Sequence, residues 1–419
     1  MTLTPTHLDA VEILDSRGRP TLAVTLTLAD GTTARAGVPS GASTGSNEAV
    51  ELRDADPSRF GGSGVLTAVG NVKGEIAGAV VGRSFADLAD LDRALIDLDG
   101  TENKARLGAN AIVGVSMAAA RAHATSSGQS LWRTLTPAGV TPRLPVPHFN
   151  VLNGGAHAPN KLDFQEFMVA PLGAPTLAEA VRAGAEVYAA LRRQLSDKGF
   201  ATGLGDEGGF APEIDTPEDV LRLLVSAIET AGYRPGRDGV AIALDPAANG
   251  FYRDHAYHVA GETLSSDDMI ARYAAMTEDF PVWSLEDGLA EDDWDGWVRL
   301  MSRIGHTTQI VGDDILVTNP AIIAKAIGAG VANSALIKVN QIGTVTETLQ
   351  AMQLCRDAGW TQMISHRSGE TEDSFIADLA VGSGCGQIKS GAPARGERVA
   401  KYDRLIEIEA GEQMPYGLA

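Results

Sequence analysis

Cysteine is nearly absent: Cys355 and Cys385 are the only two in 419 residues, and neither stands in a Cys-x-x-Cys or Cys/His spacing. A disulfide framework is therefore excluded, and both thiols are expected reduced, in or near the core. Basic residues are in the minority, 34 against 54 acidic ones, which gives a formal net charge of −20 and a pI near 4.8. The average field repels nucleic acid and anionic membrane surfaces, so an anionic ligand requires a pocket that concentrates cations against it. No apolar run approaches the roughly 18 residues of a membrane span. The opening MTLTPTHLDA has neither a basic nor an apolar leader region, so a cytoplasmic soluble protein is expected. No Gly-x-Gly-x-x-Gly follows any strand-like run, which counts against an open dinucleotide-binding sheet.

Hydrophobic residues reach 44% and charged residues 21%, an ordinary globular balance that predicts folding throughout. At this length two domains, or a barrel with an appendage, are expected. Leu22 to Leu28 alternates, Asp30-Gly31 turns, and Thr32 to Val38 returns, which is a hairpin pattern. Between Ser40 and Ser46 the residues are small and read as a mobile lid loop. Helices are predicted over Leu66–Val81, Phe85–Leu98 and Leu107–Ala124. We expect an α+β domain over residues 1–135, a proline-rich linker over 136–147, and a β/α barrel over 148–419.

The barrel expectation rests on a repeat. Short apolar runs each end in a polar residue, in FQEFMV, TGLGDEGG, VAIALDPAA, VWSLEDG, QIVGDDI, ALIKVNQ, QMISHRSG and GQIKSGAP. The later runs recur about every 25 residues, the length of a strand, a helix and two short loops. Functional residues at successive strand ends describe a barrel whose active face is that end.

Asp245, Glu286 and Asp313 occupy three such ends and converge on a common centre. Three converging carboxylates call for a cation, and all-oxygen ligation favours Mg2+ over zinc. Lys338, alone in the apolar run SALIKV, would snorkel to water if it stood by itself. Beside those acids it becomes a candidate general base, its pKa lowered by burial and a dication. Lys389, His366, Arg367 and Ser368 form the expected cationic cluster, with Arg367 and Ser368 suited to a phosphate. Glu166 and Glu207 are candidates for acid work on a leaving group, or else structural acids capping glycine-rich turns. Asp206 and Asp314 are expected to be structural, since neighbours on a strand point to opposite faces.

With DSRG, VPSGASTG, EAVELRD, LGANAIVGVS, NGGAHA, QEFM, GDEGGFAP, SLEDG, GDD, LIKVNQIGT, SHRSGETED and GQIKSGAPAR in order, the chain resembles the enolases from end to end. The resemblance implies an α+β capping domain on an enolase-type β/α barrel, and dehydration of 2-phosphoglycerate to phosphoenolpyruvate. It implies Lys338 as the base at C2, Glu207 supported by Glu166 on the acid side, and Asp245, Glu286 and Asp313 as the first Mg2+ site. Ser43 would ligate a second Mg2+ arriving with substrate. Arg367 and Ser368 would hold phosphate, with His366 beside them, Lys389 would contact the substrate carboxylate, and His157 and Gln165 would complete the pocket. A homodimer or ring of dimers is implied as well. Arg19, Ala23, Ser63, Gly250, Asp403 and Glu407 depart from the family pattern outside this matched set. They keep open an enolase-like carboxyphosphonoenolpyruvate synthase. A non-catalytic scaffold is the alternative of another class.

Overall fold

The structure, a computed structural model, describes residues 2–42 and 45–418. Near the N-terminus three antiparallel strands, Pro5–Leu14, Pro20–Leu28 and Thr33–Gly37, pair in sequence order. The middle strand buries Leu22, Val24 and Leu26 completely beneath the helix Ala109–Ser126. That helix lies close because it carries small residues: a Cβ on Gly114 would come within 2.6 Å of the Val24 side chain.

Two expectations change here. Pro5–Leu14, absent from the predicted hairpin, is a further edge strand, and Thr6, His7 and Glu12 interrupt the apolar alternation that would have marked it. The single helix predicted over Leu66–Val81 is instead Leu66–Asn71, a wider π turn at Val72–Ile76, and Ala77–Val80. Glycines at 70, 74 and 78 leave this segment without the side chains that hold a regular α register.

Eight strands close the barrel in the order Val282–Glu286, Gln309–Gly312, Ser334–Ile337, Thr361–Ser365, Gln387–Lys389, Val146–Asn153, Glu166–Ala170, Ala241–Asp245. The first of these in the chain begins at Val146, inside the predicted linker. Glu166–Ala170 runs antiparallel to both neighbours, whereas a uniform β/α repeat had it parallel. The chain turns directly from Asn153 through a short loop into Glu166 with no intervening long helix, and such a connection can only return antiparallel. Glu166 therefore starts its strand instead of ending it. Even so it lies beside Asp245 in register, at the same end of the barrel as the other acids.

Helices start where the sequence supplies caps. Asn319 accepts the Ala321 N–H at 2.9 Å, and Thr344 accepts the Glu347 N–H at 3.1 Å. The capping domain is pinned to the barrel mouth by reciprocal backbone bonds between Ser40 and Gly369, 2.7 and 2.9 Å. Arg121 adds an ion pair to Asp373, with nitrogen and oxygen 2.5 Å apart.

In the barrel strand beside Lys389, His148 is fully buried, 5.5 Å from the Trp283 ring, with Nδ1 3.2 Å from the Val146 carbonyl. Burial lowers its pKa from 6.5 to about 4, so the folded protein keeps it neutral where the unfolded chain protonates it. Stability is fully present above pH 6.5 and falls as pH drops toward 4, by up to roughly 3 kcal/mol from this group. Urea unfolding across that window should show a shallower acid limb for His148→Leu than for the parent.

Candidate active site

Lys338 follows the Ser334–Ile337 strand, and its backbone N–H is held by Thr318 Oγ1 at 2.9 Å. Its Nζ lies 2.5 Å from Asp313 Oδ2, and both residues are buried. Asp313 Oδ1 accepts Gln341 Nε2 at 2.9 Å, and Gln341 Oε1 in turn accepts the Thr318 hydroxyl at 2.7 Å. Both oxygens of Asp313 are thus fixed. Burial would lower the Lys338 pKa, but the Asp313 charge outweighs it and the pKa is raised. The expected lowering toward neutrality is not a property of the protein alone, because the nearest charge to the amine is a carboxylate.

Asp245 and Glu286 close the ends of their strands. Lys389 Nζ sits between them, 3.0 Å from Asp245 Oδ2 and 2.8 Å from Glu286 Oε1, and 3.2 Å from Glu166 Oε1. Burial should depress this lysine; the Asp245, Glu166 and Glu286 charges reverse the effect and raise it well above the ordinary value. Even so, burial together with the adjacent Asp245 charge pushes the Glu286 carboxyl well up, and Glu286 Oε2 has no hydrogen-bond partner. Asp245 and Glu286 share Lys389 Nζ while Asp313 is paired with Lys338. With one orphaned oxygen the three supply the all-oxygen donors a hard divalent cation takes, but the groups whose donor atoms lie within 4.8 Å of one another among the described residues are His157–Glu166–Glu207 and Asp287–Asp313–Asp314. Asp287 and Asp314 also cluster with Asp313. Asp287, however, uses its two oxygens on the backbone N–H groups of Asp313 and Asp314, at 2.9 Å each, which makes it a brace for the Gly312–Asp314 turn. Removing both acceptors in Asp287→Ala leaves two buried N–H groups unpaired. The expected cost is about 1–3 kcal/mol for each, seen as a lowered melting temperature that Asp287→Asn partly restores.

Facing these residues is a second group of acids. Glu207, on the Gly205–Gly209 loop, accepts Asn150 Nδ2 on Oε2 at 2.9 Å. The same oxygen lies 3.3 Å from His366 Nε2, while Oε1 lies 3.6 Å from His157 Nδ1. That imidazole nitrogen is also 3.7 Å from Glu166 Oε1. The two acids are driven apart: burial and the Glu207 charge raise Glu166 well above the ordinary range. Burial acts the same way on Glu207, but the His157 and His366 rings and Arg398 outweigh it and hold that carboxyl well below. His366 was expected in the cationic cluster; burial lowers it to about 3, so it is neutral there.

Arg367 is buried, and Glu48, just past the Ser40–Ser46 stretch, meets it with two parallel contacts of 3.0 and 3.1 Å. Asn340 Oδ1 accepts a third at 3.0 Å. Ser368 Oγ accepts Arg17 Nη1 at 3.2 Å. One narrow cleft is lined by His157, Gln165, Glu166, Glu207, Asp245, Asp313, Lys338, His366, Arg367, Ser368 and Lys389, and Glu286 meets it through Lys389. Ser43 lies outside the described residues. Asn150, Gln341 and Arg398 were missed with Glu48, because each acts through a contact made only on folding. Glu48 opens the EAVELRD motif, but nothing in that motif marks it as the partner of Arg367.

A buried lysine on one side, an acid pair on the other, carboxylates for a cation and an arginine-serine pair for an anion define an acid–base lyase that acts beside a carboxylate. Comparison narrows the class. Residues 6–135 match the family described as "Enolase, N-terminal domain", and residues 141–417 match "Enolase, C-terminal TIM barrel domain". The enolase of Rubrobacter xylanophilus is 56% identical over 400 residues, covering 95% of this chain and 93% of that protein. The enolase of Beutenbergia cavernae is 56% identical over 400 residues, 96% of this chain and 93% of its own. The chain belongs to the enolase family, whose members are lyases of the phosphopyruvate hydratase type. Neither the phosphonate-joining enzyme nor the non-catalytic scaffold is favoured by these relatives.

Proposed function

We propose that the protein catalyses the reversible dehydration of 2-phosphoglycerate to phosphoenolpyruvate as a cytoplasmic, magnesium-dependent step of glycolysis. The observation that carries the reading is that Lys338 and the Glu166–Glu207 pair line one cleft as separate groups, each with its own partners. An elimination needs a base for the C2 proton and an acid for the C3 hydroxyl, and a single group cannot do both at once.

In this assignment Arg367 and Ser368 hold the phosphate, and Lys389, His157 and Gln165 orient the carboxylate end. Lys338 takes the proton from C2. On the acid side Glu207 acts with Glu166, and the proton for the C3 hydroxyl is drawn from Glu166, whose carboxyl is pushed well up, by way of Glu207; the hydroxyl leaves as water while the C2–C3 double bond forms. Asp245, Glu286 and Asp313 would hold Mg2+, and Ser43 is the expected ligand of a second ion; the bound metal would supply positive charge against the substrate carboxylate and would compete with Lys338 for Asp313. The elements before and after the 136–147 segment would act as capping domain and catalytic barrel. A homo-oligomer is also proposed; the exposed Val11 and Leu14 on the Pro5–Leu14 edge strand are consistent with a covered edge. No helix among the described residues is long and apolar enough to cross a membrane.

The test is direct. Purified protein given 2-phosphoglycerate and Mg2+ should form phosphoenolpyruvate, followed by its ultraviolet absorbance. Absence of product, with turnover appearing only after an activated phosphonate is added, would overturn the assignment.

A further inference from the structure

Behind the cleft, on the helix Gly396–Gly411, lies a guanidinium that no step above uses. Arg398 is fully buried. Its nearest acid is Glu397, with Oε1 3.4 Å from Nε and no hydrogen bond between them. Its other nitrogens point at the backs of the catalytic loops. Nη1 donates to the Arg367 carbonyl at 2.6 Å, and Nη2 donates to the carbonyls of Ser368 at 2.5 Å and Asp206 at 3.2 Å. Nη1 also lies 2.6 Å from His366 Nδ1.

That last contact settles which ring nitrogen carries the proton. A guanidinium has donors only and stays protonated, so Nδ1 must present its lone pair. The single N–H of a neutral His366 is then on Nε2, the atom 3.3 Å from Glu207 Oε2. This N–H faces the site without a well-aligned partner among the protein groups. It is a donor within 3.3 Å of Glu207 Oε2 and has no lone pair to offer there. With the other tautomer, a lone pair would face the Glu207 carboxylate, and a buried Arg N–H would meet a ring N–H.

We propose that Arg398 is a positioning residue for the acid side: it locks His366 in the Nε2–H tautomer, so that His366 acts as a donor toward Glu207 and cannot act as a base. The functional consequence rests on the hydratase reading, but the tautomer does not. Because Lys338 Nζ is paired with Asp313 and His366 with Glu207, the lock bears on loss of the C3 hydroxyl and little on removal of the C2 proton.

The experiment has two arms. Long-range 15N–1H correlation of histidine-labelled wild-type protein, with the His366 signals identified by their loss in His366→Gln, should show Nδ1 bare and Nε2 protonated. A protonated Nδ1 overturns the proposal whatever the enzyme catalyses. In Arg398→Met the Nδ1–H form should become populated. Phosphoenolpyruvate formation should fall 10- to 100-fold, while exchange of the C2 proton with solvent falls at least tenfold less. Arg398→Lys, which keeps a donor, should recover much of the difference. Equal loss of both rates, or an unchanged tautomer in Arg398→Met, would mean a packing role and overturn the proposal. If Arg398→Met does not fold, the wild-type spectrum and the lysine variant decide. A wild-type protein without C2 exchange or product would refute the hydratase reading and leave the tautomer result standing.

Discussion

Lys338→Ala protein is expected to form phosphoenolpyruvate at least 10^3-fold more slowly than the parent and to lose exchange of the substrate C2 proton with solvent. A positioned base contributes on the order of 10^2 to 10^4 in rate. No other amine in the cleft replaces this one, because Lys389 is committed to Asp245, Glu286 and Glu166 at 2.8 to 3.2 Å. The substitution also has a cost in the free protein. Asp313 keeps its hydrogen bond from Gln341 but loses its cationic partner, and breaking a buried pair by removing one member costs about 3–5 kcal/mol. Thermal unfolding of Lys338→Ala should therefore be depressed without a divalent ion and should recover more than the parent when Mg2+ is added. Deuterium incorporation at C2, followed by proton NMR, is the deciding measurement: unchanged exchange removes Lys338 from the base role.

The sequence disclosed this lysine because a charge inside the β-branched run SALIKV requires explanation, and because Asp245, Glu286 and Asp313 recur at the ends of neighbouring runs. Strand ends are legible wherever a strand is short, apolar and followed by a turn. Legibility failed where an element is not defined by its own residues. Glu166 was read at a strand end because QEFMVA looks like its parallel neighbours; direction depends on how the chain returns from Asn153. Pro5–Leu14 escaped because an edge strand exposes enough polar residues to lose its period. Glu48, Asn150 and Arg398 carry no local pattern at all. Their roles come from contacts spanning 319, 57 and 32 residues, which no window on the chain can contain.

The same contacts explain how a protein of net charge −20 makes a site for an anion. Arg367, Lys338, Lys389 and Arg398 are all buried at the mouth, each against a specific acid or carbonyl. Glu48 occupies the Arg367 fork with two parallel contacts, the geometry a phosphate would take. Glu48 thus supplies an internal anion to Arg367, and under the proposed assignment a substrate phosphate would share or replace it.

Divalent ion dependence should be read in stability as well as rate. Lys338 and Lys389 neutralise Asp245, Glu286 and Asp313, the proposed Mg2+ ligands, incompletely, as the raised Glu286 carboxyl and its Oε2, unpartnered among the described residues, indicate. A ligand that binds only the folded state adds about 2.7 kcal/mol at a hundredfold excess over its dissociation constant. Added Mg2+ should accordingly raise the melting temperature by roughly 2–4 °C, and a chelator should reverse the gain and abolish turnover together. Glu286→Gln separates this from general salt screening. It keeps a carbonyl oxygen near Lys389 Nζ, so the fold should persist, but it removes one of the three charges that hold the ion. Both the Mg2+-induced shift and the activity at millimolar Mg2+ should then be lost, while the same substitution at exposed Glu229, on the helix Pro217–Thr230, should leave both intact. A Glu286→Gln protein that still gains stability from Mg2+ as the parent does would place the ion elsewhere.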